Sequence, residues 1–401
     1  MNTTNLINLL NAEKKETRLS ALSDIKKKFD SGEIAKPEQT NNLNNHIHTT
    51  YSFSPYSPAK AVFLSWISGL ATTGIMDHDS VGGAEEFIEA GEIIGMPVTV
   101  GFEMRCSMAG SPFEGKRINN PDQNSVAYLA MHGIPRQMLG EADRFLAPYR
   151  EKRNIRNWKM VDKLNTNIKP YEMELSFHND VLPLSLYSSG GSVTERHILY
   201  GLAAQFTERE MPRHFLLGMF KSQIVERFYV DADEELPHIT DFITLAEKLG
   251  AIPAYAYLGD VGISVTGDKK SQPFEDAFLD ELIEYLVKIG MRAVTYMPAR
   301  NTDEQLSRIK ALCEANGLLQ ISGEDINSPT QKFICDKIDT PEFKHLIDSA
   351  WALIGHEHAS LQGLKEGMFS KETLKRMPGL NERIEYFAEL AREKYKKRRK
   401  V

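Results

Sequence analysis

The sequence predicts an α/β fold, a parallel sheet of seven strands covered by helices, with a helical segment inserted midway. Two observations lead there. Short apolar runs alternate with stretches of helical period over residues 41–134 and again over 246–335, the pattern of parallel strands with helices outside. In addition, three successive runs close on His, Asp or Glu: Asn45-His46-Ile47-His48-Thr49-Thr50, Met76-Asp77-His78-Asp79 and Gly101-Phe102-Glu103. Charged residues are seldom buried unless paired or metal-bound, and ligands of such sheets gather at the carboxyl ends of the strands.

The elements follow in order. Residues 1–40 form a helical extension, its stripe made of Leu6, Leu9, Leu10, Leu19, Leu22 and Ile25, with Ser31-Gly32 and Pro37 as linker. Leu43–His48 is the first strand, and its two histidines share a face because strand side chains alternate. Pro58–Leu70 is a helix with proline in its first turn. Thr73–Asp77, Pro97–Glu103 and Val126–Met131 are strands, with Ser80–Ile94 a helix among them. Residues 135–245 break the alternation with charged helical segments (Gly140–Leu164, Thr194–Gln205, Met211–Tyr229) and a Ser188-Ser189-Gly190-Gly191-Ser192 run that reads as a hinge. This part is expected to cap the sheet. The alternation resumes with strands Ala251–Tyr257, Ala293–Tyr296 and Leu318–Ser322, and residues 336–401 are a helical extension with a basic tail.

Composition narrows the function. A formal charge of −7 argues against a broad nucleic-acid face, leaving a nucleotide or short fragment open as substrate. Cys106, Cys313 and Cys335 lie far apart, so neither a disulfide framework nor a cysteine zinc site is expected, and a reducing cytoplasm is the expected setting. No run of about eighteen apolar residues occurs, so no membrane span is expected. A second His-x-His, Gly355-His356-Glu357-His358, falls on a helical pattern, where positions two apart do not face each other. His178, His197, His214 and His238 lack ligand spacing.

The ordered trio of strand ends, His46-Ile47-His48-Thr49, Gly74-Ile75-Met76-Asp77-His78-Asp79-Ser80 and Gly101-Phe102-Glu103, resembles the opening of the PHP (polymerase and histidinol phosphatase) superfamily. It looks most like the stand-alone phosphoesterases with an inserted helical domain. The resemblance implies a distorted seven-stranded β/α barrel and up to three divalent ions. It assigns His46, His48, Glu103 and Asp325, in Gly323-Glu324-Asp325-Ile326-Asn327, to the first ion, which is zinc, manganese or iron. At the family's second-ion positions stand Tyr257 and Tyr128, with His132 nearby as a substitute. At the third-ion positions stand Phe53 and Asn327, leaving only His78. One ion is therefore expected, with Tyr128, Tyr257, His132, Asn327, Arg105 and Lys269 lining a substrate pocket.

The implied activity is hydrolysis of a small phosphorylated metabolite. Arg300 is the foremost phosphate-holding cation, ahead of Arg105 and Arg117, and Asp77, Asp325 or His78 is the acid or base. A binding module that keeps its metal without catalysis, or a hydrolase of a non-phosphate bond, is the alternative. The oligomeric state is not readable.

Overall fold

A computed structural model describes residues 2–206, 213–262 and 272–398. Its seven strands are β1 (Leu43–Ile47), β2 (Thr72–His78), β3 (Val98–Ser107), β4 (Val126–His132), β5 (Ile252–Ala256), β6 (Ala293–Tyr296) and β7 (Leu319–Ser322), paired in chain order. Helices Pro58–Ile67, Ala84–Ile94, Leu279–Ile289 and Asp303–Asn316 supply the crossovers between parallel neighbours. β4 departs from the all-parallel sheet expected, running antiparallel to both β3 and β5. No helix lies between β3 and β4, and a strand reached by a loop alone can return only antiparallel.

The sheet nearly closes on itself. Ile47 bridges Ile326 in parallel, the His48 amide donates to the Ile326 carbonyl at 3.0 Å, and the Ile326 amide donates to the His46 carbonyl at 3.1 Å. Gly323 makes the approach possible, since a Cβ there would stand 2.6 Å from both the His46 nitrogen and its Cβ. Inside, Ala130, Ala254 and Ala293 pack with Met76, Leu319 and Ile321 against the helices Lys344–Ser360 and Leu380–Arg398. The C-terminal helices are thus the floor of the barrel rather than an appendage. Where they cross, a Cβ on Gly355 would lie 1.8 Å from the Phe387 carbonyl oxygen.

The same floor explains the second His-x-His pair. His356 Nε2 donates to the Gly133 carbonyl at 3.0 Å, and its Nδ1 accepts the Met368 amide at 2.9 Å, so neither nitrogen is left for a ligand. The neighbouring Glu357 carboxyl accepts the Val100 amide at 2.9 Å and the Thr99 hydroxyl. Burial pushes its pKa up to about 8.

At the other end of the chain, helices Thr3–Leu9 and Lys15–Asp30 lie on the barrel, where Arg18 Nε reaches the buried Glu86 carboxylate at 2.7 Å. The insertion has a core of its own, including Met160, Leu164, Phe177, Ile198 and Phe228. Helix Ile239–Leu249 and residues Leu139, Ala142 and Leu146 join the barrel core instead, so the separate cap is narrower than 135–245. The Ser188–Ser192 run is docked, not a loose hinge: Ser80 Oγ donates to the Gly190 carbonyl and the Ser192 amide to the Tyr51 carbonyl, each at 2.7 Å. No helix among the described residues is long and apolar enough to cross a membrane.

Two outcomes follow. Gly355→Ala should lower stability by about 3 kcal/mol, because the clash is with backbone rather than a yielding side chain, and urea denaturation reads it. Glu357 holds a proton in the folded state that the unfolded chain releases near pH 4.5, so its contribution is full below that pH and is lost as pH rises to about 8. Glu357→Gln should therefore show a flatter fall in melting temperature over that range than the parent protein.

Candidate metal centre

At the carboxyl end of the barrel, His46 and His48 from the end of β1 face Glu103 on β3. His46 Nε2 lies 3.4 Å from Glu103 Oε2, and His48 Nε2 lies 3.4 Å from Oε1. One ligand atom from each of these three residues falls within 4.8 Å of the others. The seam between β1 and residue 326 then carries Asp325 alongside, its Oδ1 3.2 Å from His48 Nε2. His48 Nε2 is buried and makes no well-directed hydrogen bond, although two carboxylates flank it. An orphaned imidazole nitrogen between two acid groups is what a divalent ion would satisfy, and two nitrogens with two carboxylates suit zinc, manganese or iron. The residues present therefore fit the ion.

The electrostatics agree. Burial alone would raise the Glu103 pKa, but His78 and His46 outweigh it and hold the carboxyl well below its usual range. Asp325 is likewise driven well below by His48 and His46 against the effect of burial. Burial lowers the His48 pKa and keeps that ring in its neutral, ligating form.

His48 is oriented from behind. Ser52 Oγ, 3.2 Å from His48 Nδ1, donates to Asp77 Oδ1 at 2.6 Å, so it can only accept from the ring. That puts the ring proton on Nδ1 and leaves the Nε2 lone pair facing the carboxylates. Asp77 also accepts the Thr49 amide at 2.7 Å and the Thr49 hydroxyl at 2.6 Å, and it is fully buried. Its expected role as catalytic base is corrected to that of an anchor. Asn327 is similar: its Nδ2 donates to Asp325 Oδ1 at 2.5 Å, so it positions the carboxylate from behind instead of lining the pocket.

A cavity of about 450 Å³ opens above these residues, bordered by His78, Tyr128, Tyr257 and Arg300. His78 Nδ1 lies 2.9 Å from Glu103 Oε1. Tyr257 gives its hydroxyl proton to Asp276 Oδ1 at 2.6 Å, a bond that ties it to the rim. Two residues expected in the pocket lie outside it. Arg105 is buried and paired with Glu235, with the Tyr229 hydroxyl 3.4 Å away. His132 is buried deeper in the barrel, and burial, with the nearby His46 charge, pushes its pKa down to about 3. Lys269 lies outside the described residues. Arg117 closes its own loop, donating to the Pro121 carbonyl at 2.5 Å.

The sequence predicted a cap but did not single out the arginines it buries beside the site. Helix Leu139–Ile168 buries Arg150, Arg153 and Arg156. Arg153 is paired with Asp79 and lies 3.4 Å from Glu195, while Arg156 meets Glu195 at 2.6 Å and Glu235 at 2.9 Å. Arg153, Glu195 and Arg196 line the cavity. The signal was present as three arginines at a spacing of three, which stacks them along one helix face.

No family model matches the sequence, and no curated protein does. Solved structures do. A protein from Bifidobacterium adolescentis, assigned as a metal-dependent phosphoesterase, superposes with a TM-score of 0.56 at 19% identity, covering 78% of this chain and 97% of that one. An amidohydrolase from Chromobacterium violaceum, solved with bound sulfate and no metal, gives 0.55 at 16%, covering 77% and 96%. At such identities the likeness speaks for architecture, and the architecture is the barrel that the sequence resemblance led us to expect.

Asp77→Asn should present an amide hydrogen where Thr49 and Ser52 need an acceptor. Metal affinity should fall about 10- to 100-fold with the fold retained, read by competition with a chelator. Unchanged affinity would remove Asp77 from the support of the site.

Proposed function

We propose that this chain is a metal-dependent phosphoesterase acting on a small phosphorylated molecule through one divalent ion. The reading is carried by one observation: two imidazoles and Glu103 converge within 4.8 Å, with Asp325 against His48, at the base of a half-open cavity. An ion held by these four supplies a bound water of lowered pKa and polarises the ester. The remaining chemistry falls to the chain's own groups. His78, whose Nδ1 lies against Glu103, has Nε2 as its other ring nitrogen and can pass a proton there to or from the leaving oxygen. Arg300, past the end of β6, lines the cavity wall and is assigned on this reading to hold the phosphate. The proposed partner is therefore a small molecule, a nucleotide included.

The similarity to an amidohydrolase keeps a second reading, hydrolysis of a non-phosphate bond at the same centre. Metal analysis combined with a panel of phosphate, carboxylic ester and amide substrates separates the two. Near one ion per chain is expected, with phosphate ester hydrolysis that falls more than about 100-fold in His48→Ala, since a lost ligand costs more than a lost supporting contact. Cleavage of amides alone would sink the phosphoesterase. Tight metal binding without turnover of any substrate would make the chain a binding module.

A further inference from the structure

The cations on the cavity wall differ in their commitments. Arg153 is held between Asp79 and Glu195. Arg196, next in the chain and on the first turn of helix Glu195–Ala204, lines the same cavity but makes no hydrogen bond or ion pair among the described residues. Arg196 is partly buried, and a guanidinium has five donors and no acceptor, so an anion entering the cavity meets donors that no described carboxylate has taken.

The charge balance of the centre indicates which acceptor. Neutral His46 and His48 with ionised Glu103 and Asp325 cancel a divalent cation, so the loaded centre carries no net charge. A phosphate monoester dianion approaching it needs positive charge from elsewhere in the wall, a diester needs less, and a neutral ester or amide needs none. We propose that Arg196 is an anion receptor of this site, a fork from the inserted cap that works beside Arg300, grips the non-bridging oxygens of a phosphate monoester and gives the cap its part in specificity. This rests on the phosphoesterase reading for the substrate, and on the geometry of the cavity for the residue.

The test uses the full chain loaded with manganese, as the parent protein and as Arg196→Gln and Arg196→Lys. Calorimetry measures inorganic phosphate binding, and kinetics compare 4-nitrophenyl phosphate with bis(4-nitrophenyl) phosphate. In Arg196→Gln, phosphate affinity should weaken and the monoester KM should rise, each about 10- to 100-fold. Metal content, melting temperature and the diester KM should move little, and Arg196→Lys should recover part of the loss. Equal phosphate affinity and KM in parent and Gln variant would overturn the assignment and leave the phosphoesterase standing. A parent protein that binds no phosphate, or a Gln variant that loses its metal, would also overturn it. Binding that depends on Arg196 without hydrolysis of either ester would support the receptor and sink the phosphoesterase.

Discussion

Two backbone hydrogen bonds across the barrel seam decide where the metal ligands stand. Ile326 donates to His46 and accepts from His48, so a residue far along the chain is fixed in register with the first strand. Asp325 precedes Ile326, and this register delivers its carboxylate to His48. Without the seam Asp325 would sit on a loop after β7, with a freedom that metal coordination does not tolerate. The closure in turn requires a residue with no side chain at 323, because the strands meet closer than a Cβ permits. Metal geometry here is a property of sheet closure.

Buried charge, as well as the apolar start of helix Leu139–Ile168, fixes the cap. Arg153 reaches from the cap helix to Asp79 at the end of β2 and to Glu195, while Arg156 spans Glu195 and Glu235, the residue that also neutralises Arg105. Each buried guanidinium has a carboxylate, and removing one partner of such a pair costs about 3–5 kcal/mol because the other charge stays buried. Shared acids make the network stiffer than its pairs, since no arginine can leave without uncovering a carboxylate used by another. The wall that carries Arg196 is therefore held in a fixed relation to the metal ligands.

The strand count, the crossover helices and the polar residues that converge at the candidate metal centre were legible because each leaves a local trace: an apolar run of strand length, a helical stripe, a polar residue where a strand stops. What was not legible depends on contacts far apart in sequence. Asp77 sits in the same Met-Asp-His-Asp segment as His78, and only the fold turns it toward Thr49 and Ser52. Arg105 follows Glu103 by two residues and shares its face, yet Glu235 from beyond the cap claims it. The reversal of β4 was readable in the missing helix between residues 107 and 126, which argues against a parallel neighbour. The helical pattern already argued against a ligand pair at His356 and His358, and the floor of the barrel gives His356 and Glu357 backbone partners instead.

The positions that hold further ions in the resembled family carry groups with other engagements here. Tyr257 is bound to Asp276, Asn327 to Asp325, and the Phe53 ring lies 4.9 Å from the His197 ring of the cap. To ligate a second ion Tyr257 would have to surrender both that bond and its proton, and its pKa is raised by burial and by the neighbouring acids. These engagements favour a single ion. They also change what the protein itself must supply: where several ions would bring positive charge to a phosphate, a centre of one ion and two carboxylates brings none, and the missing charge has to come from arginine. On the single-ion reading, an insertion that presents Arg196 to the cavity would supply that charge, which ties the proposed role of the cap to the proposed metal count.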